Sequence, residues 1–184
     1  RYSTIENWSK NMYNLNTKRA LVSEGGTIEW VSGSFGSHVS YLYPMSVLNG
    51  EGAHSEFTGV TFAGHGQNLD TGYKVVHNAP HTTSLVNTRS ISKSGGISTF
   101  RSSVVVTNKA KHAKSSVSCQ SLMLDNISRS DTIPAIDVRT ADADIGHEAK
   151  IGRISDDAVF YLMSRGISEE EARASGHKYY QAGA

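Results

Sequence analysis

A chain of 184 residues with 38% hydrophobic and 19% charged side chains, 17 Gly and only 3 Pro excludes a helical bundle or coiled coil, which would be rich in Ala, Leu, Glu and Lys. Val, Ile, Tyr and Phe recur at short intervals, which argues against disorder. The net charge of +1 offers no basic field for nucleic acid, no apolar run approaches the roughly 18 residues of a membrane span, and the single cysteine, Cys119, excludes an internal disulfide framework and a multi-cysteine zinc site.

The chain opens on Arg1 and enters strand-like sequence almost at once. Its last residues, Gly176 to Ala184, carry no packing pattern, and the whole reads as a piece of a longer protein. From Thr27 to Ile151 short β-branched or aromatic runs are separated by Gly, Asn, Asp and Ser. They predict strands over Thr27–Val31, His38–Tyr43, Glu56–Phe62, Tyr73–His77, Thr83–Thr88, Ser98–Thr107, Ser115–Leu124, Ala135–Arg139 and Ala143–Ala149. This spacing suits a sandwich, a barrel or a solenoid. Two details favour the solenoid. Tight-hairpin dipeptides are scarce, with only Asn49-Gly50 in place. The Ser-rich strands (Ser98 to Ser103, Ser115 to Ser118) suit stacked turns with ladders of small side chains.

The pattern changes at Ser155. Ser155-Asp156-Asp157 reads as an N-cap with two acids in the first helical turn. Val159, Leu162 and Met163 fall on one helical face, and Gly166 marks the end after Arg165. Ser168-Glu169-Glu170-Glu171 is a capping box that starts a second helix. The expected division is a β core over residues 1–152 and a helical region over 153–184.

Several motifs are absent. There is no P-loop and no G-x-S-x-G elbow. Gly64-His65-Gly66 lacks the third glycine of a dinucleotide fingerprint, and His147-Glu148 is followed by Ile151 where H-E-x-x-H needs its second His. Cys119 shares a strand face with Val117 and Ser121. It reads either as a small buried hydrophobe or as a thiolate ligand and sulfur acceptor. His147 and Glu148 are adjacent on a strand, so they point to opposite faces unless a bulge at Gly146 turns one of them. The other histidines, scattered among turn residues, read as solvated or structural, and Trp8 and Lys18 read as a packing aromatic and a solvated cation.

Ordered segments along almost the whole chain resemble the C-terminal half of SufB-type scaffolds in the SufB/SufD family of the Suf iron–sulfur assembly system. They are Tyr2 to Trp8, Tyr13 to Arg19, Asp70 to Gly96, Ser118-Cys119-Gln120-Ser121, Ile145 to Ala149, and Ile154 to Ala172. The resemblance implies a right-handed parallel β-helix followed by a C-terminal helix–turn–helix. It implies a non-catalytic scaffold that builds and transfers a transient iron–sulfur cluster in the cytoplasm. The implied partners are a SufC-type ABC ATPase on the helical region, SufD or a second SufB at the β-helix end, and a SufS-type cysteine desulfurase with its sulfur shuttle. Flavin in the full complex is left open. Cys119 matches the proposed cluster ligand and sulfur acceptor. His147 and Glu148 match the segment that supports assembly, and Trp8 and Lys18 match positions on an internal sulfur path. Gln120, Glu6, Gly146 and Ala20 depart from residues frequent in the family.

One thiolate cannot hold a cluster as four cysteines do. A single-cysteine scaffold must therefore borrow ligands from a partner chain or small molecules. Two rival readings compete with it. A carbohydrate-processing β-helix enzyme would need paired carboxylates from among Asp131, Asp137, Asp142 and Asp144. A purely structural solenoid would leave the Cys-His-Glu set and the helical end without a role.

Overall fold

The computed structural model describes residues 1–173. Thirteen strands precede the helices. They are β1 (Tyr2–Glu6), β2 (Tyr13–Asn16), β3 (Arg19–Val22), β4 (Thr27–Ser34), β5 (Val39–Leu42), β6 (Met45–Leu48), β7 (His54–Ala63), β8 (Asn68–His77), β9 (Thr83–Ser92), β10 (Ile97–Val106), β11 (Ala113–Met123), β12 (Arg129–Val138) and β13 (Ala143–Arg153). All pairings are parallel. One sheet runs β1-β4-β7-β9-β11-β13 and the other β12-β10-β8-β5-β2, with β3 joined to it through β6. The chain alternates between the two sheets and advances one position each time, which is a parallel β-solenoid of about five turns.

The register stacks like upon like. Tyr2, Trp30, Phe57, Val86, Val117 and His147 form one column through the first sheet, and Thr4, Ser32, Gly59, Thr88, Cys119 and Ala149 form the next inward column. Trp30, Phe57, Tyr73, Val86, Val104, Val117 and Cys119 share one buried core. Phe57 stacks on Tyr73 across the lumen at 4.8 Å between ring centres. The expected hydroxyl ladders are present: Ser84 bonds Ser115 and Ser90 bonds Ser121, both at 2.8 Å.

The corners have a fixed chemistry. Two residues before β4, β7 and β9, and one before β11, the backbone turns left-handed, at Gly25, Gly52, His81 and His112. Glycine adopts that conformation without steric cost, so the two histidines carry the strain of the same corner.

Several strands differ from the sequence expectation. The sequence pattern predicts no separate strands at β1, β2, β3 and β6, and the run His38–Tyr43 is followed by a break at Pro44, which has no N–H to give the ladder. β12 starts at Arg129 rather than Ala135. Its Pro134 pairs with Ser102 and is tolerated because β12 is an edge strand.

β13 ends at Arg153, and α1 spans Asp156–Met163 with the Ser155 hydroxyl accepting from Ala158 N. Val159 and Leu162 are buried against Leu122, Leu124 and Ile154. Met163, expected on the same face, is 42% exposed. It lies at the outer margin of a stripe that α1 needs only on one side. Gly166 is left-handed at φ 85°. The capping box forms as expected, with Ser168 N donating to Glu171 Oε2 and Glu171 N donating to Ser168 Oγ, both at 3.3 Å. A second helix covers 169–173. The tail from Gly176 and the remainder of the helical region lie outside the described residues.

Candidate functional site

The last turn of the solenoid is open. β12 and β13 end their sheets, and among the described residues no strand pairs with their outer edges. Ile133, Ile136, Val138 and Ile151 on these two strands are exposed. Cys119 lies one strand in from this edge, between Thr88 of β9 and Ala149 of β13. It is 2% exposed. Burial pushes its thiol up, and the neighbouring Thr88 hydroxyl offsets this in part.

His147 sits on Val117, which is two residues from Cys119 on the same inward side. Its Nε2 is buried with no hydrogen-bond partner among the described residues. Glu148 follows an unbroken register through β13 and therefore points outward. It is exposed and paired with Lys150 at 3.3 Å. The bulge that would turn Glu148 toward the thiol is absent: Gly146 pairs regularly with Ser116. The fold thus brings Cys119 and His147 together and sends Glu148 to the other face of the same strand.

Lys18 lies at the opposite end. Its Nζ contacts Glu6 Oε1 at 3.2 Å and stands 5.7 Å from the Tyr2 ring centre. Glu6 is buried and also accepts from Asn14 and Asn16, so the solvated-cation reading of Lys18 gives way to a half-buried pair. Glu6, Lys18, Thr4 and Ser32 line a cavity of about 10 Å³, the room one water needs. A second cavity of the same size lies further along, lined by Ser32, Ser34, Thr61, Thr71 and Thr88. Ser32 and Phe57 border both. Trp8 is half-exposed between β1 and β2, where its carbonyl accepts from Ser37 N, and it lines neither cavity.

Two of the four carboxylates of the enzyme reading are occupied elsewhere. Asp131 pairs with Arg129 at 2.8 Å and Asp137 with Arg139 at 2.6 Å. Among the described residues no three His, Cys, Asp or Glu side chains converge to hold a metal ion, and no helix is long and apolar enough to cross a membrane. Sequence reasoning missed Glu6 as the partner of Lys18, and Thr88 beside the thiol. It leaves His77, at the end of its predicted strand, as solvated or structural; on β8 it is fully buried between Thr82 and Ser84. The alternation Tyr73, Val75, His77 was the available signal for His77. Thr88 had no signal short of the register.

Fold and site together define a parallel β-solenoid that keeps a thiol in its lumen beside an open last turn. The family model described as the SUF system FeS cluster assembly SufBD core domain matches residues 1–175, and the chain belongs to that family. An iron–sulfur cluster assembly SufBD family protein of Staphylococcus saprophyticus is 51% identical over 172 residues, covering 94% of this chain and 37% of the relative. One from Mycobacterium leprae is 48% identical over 174 residues, covering 95% of this chain and 20% of the relative. The chain thus spans about a third or a fifth of these curated relatives. The family supports a role in iron–sulfur assembly and does not favour the carbohydrate-enzyme reading.

Proposed function

We propose that this chain is the SufB-type scaffold portion on which a nascent iron–sulfur cluster is built and then handed on. Cys119 accepts sulfur and ligates the cluster. His147 offers an imidazole nitrogen beside it, and Glu148 offers a carboxylate from the outer face of the same strand. Thiolate is the preferred ligand and the other two are exchangeable, which suits a cluster that is cargo. The observation that carries this reading is the placement of Cys119 and the unpartnered His147 on the lumen side of an open last turn.

That open edge fits SufD or a second SufB, whose strands would continue the sheets and whose side chains would complete the ligand set. The helical region from 153 onward, whose α1 packs on Leu122 and Leu124, serves as the seat of a SufC-type ABC ATPase. Sulfur from a SufS-type desulfurase enters at the Glu6–Lys18 end and passes the hydroxyl-lined cavities to Thr88 and Cys119. Lys18 attracts the anionic sulfur, and Trp8 guards the outside of that entrance. The compartment is the cytoplasm, and a flavin would belong to the full complex.

Anaerobic reconstitution of the intact protein with iron and sulfide tests this. The wild type should develop visible charge-transfer absorption. Cys119→Ser should lose most of it while retaining the β-rich circular dichroism. Equal absorption in the variant would remove Cys119 from the role.

A further inference from the structure

Serines at one corner fix how the two sheets face each other across the lumen. Ser90, near the end of β9, bonds Ser121 of β11 at 2.8 Å and Ser130 of β12 at 3.4 Å. Ser98, near the start of β10, bonds Ser130 at 3.1 Å and Ser92 at 2.9 Å. β11 runs into this corner and β12 runs out of it. Two residues back from Ser121 is Cys119, and two residues on from Ser130 is Thr132. Side chains two apart share a strand face, so Thr132 faces Cys119 across the lumen.

The preceding turns repeat the arrangement. Thr71, Phe100 and Thr132 form one column of the second sheet. Thr71 and Phe100 line a single cavity with Gly59 and Thr88, which stack in the Cys119 column. At the last turn the phenyl ring of Phe100 gives way to a hydroxyl, and the residue beyond Cys119 is the small Ala149. Thr132 Oγ1 is buried and has no hydrogen-bond partner among the described residues. A buried hydroxyl left unpaired destabilises the fold, and the gain on pairing is larger when the acceptor is charged.

We propose that Thr132 is a positioning residue for the sulfur carried on Cys119: its hydroxyl donates a hydrogen bond to that anionic sulfur from across the lumen, opposite the hydroxyl of Thr88. The orphan donor finds its acceptor only when sulfur is loaded, so the pair favours the loaded state over the empty one. This rests on the reading of Cys119 as the sulfur acceptor.

The test loads the intact protein anaerobically with polysulfide. The Cys119 thiolate attacks a sulfane sulfur; a new S–S bond forms, one S–S bond of the polysulfide breaks, and the electron pair leaves on the shortened polysulfide. Intact-mass measurement then follows the loss of the added sulfur with time. Thr132→Val and Thr132→Ala should each shed it about tenfold faster than wild type, and Thr132→Ser should stay within about twofold. Thr132→Val should melt no lower than wild type, because it removes an unpaired buried group. Retention by Thr132→Val and Thr132→Ala equal to wild type would overturn the role of Thr132 alone. A wild type that takes up no more sulfur than Cys119→Ser would overturn both this inference and the reading it rests on.

Discussion

The thiol of Cys119 lies in a lumen furnished with hydroxyls and aromatic rings, and each kind of side chain there has a different electrostatic effect. Rings and methyl groups desolvate the sulfur and disfavour its charge; hydroxyls restore part of what water supplied. His77 shows the same physics acting on a cation. Its ring is fully buried, with Thr82 Oγ1 at 2.8 Å from Nδ1 and Ser84 Oγ at 2.9 Å from Nε2. Desolvation drives it down from 6.5 to about 4. In the unfolded chain the imidazole takes up its proton as pH falls through the ordinary value, while the folded chain resists until the depressed one. Stability attributable to His77 is therefore complete above pH 6.5 and drains away between 6.5 and about 4. The loss should be on the order of 3 kcal/mol. Urea denaturation at about pH 7 and about pH 4.5 should show it, and a His77→Gln variant should flatten the dependence. An equal pH dependence in the variant would assign the acid sensitivity to other groups.

At the scale of elements, the corners explain both what the sequence reveals and what it conceals. Gly25, Gly52, Gly66 and Gly95 mark left-handed corner positions directly. Ser37, His81 and His112 occupy equivalent positions without glycine, so the repeat looks degenerate although the backbone is regular. β12 starts earlier than its sequence pattern predicts for a related reason. Pro134 and the polar run Ser130-Asp131-Thr132 argue against a strand, yet an unpaired edge tolerates both. The helical end was legible because caps are local: Ser155, Gly166 and Ser168 act within a few residues. The Cys119 face was legible from alternation, whereas its companions Thr88 and Thr132 come from other strands and depend on register. His81 and His112 stack at 5.0 Å, each at a φ that costs a residue with a Cβ about 1 kcal/mol. His112→Gly should consequently stabilise the solenoid by about 0.5 kcal/mol, the stack being exposed. Thermal denaturation measures this, and a lower melting temperature would show that the imidazole stack outweighs the strain.

Across the whole molecule, the two ends of the solenoid differ in chemistry. A half-buried Glu6–Lys18 pair stands at one end, and a thiol stands at the other with an imidazole nitrogen and a hydroxyl that have no partner among the described residues. Between them lie two small cavities that share Ser32 and Phe57, with hydroxyls along their walls as far as Thr88. On the proposed function, a single thiolate would suffice because the open edge would admit further ligands from outside the chain. The most direct measurement is the iron and acid-labile sulfide content of the intact protein isolated anaerobically from cells that also express the other Suf components. The wild type should carry both in equal proportion, and Cys119→Ser should carry at most about a tenth as much at unchanged protein yield. Equal iron and sulfide in wild type and variant would contradict the assignment of cluster assembly to the Cys119 end of the solenoid.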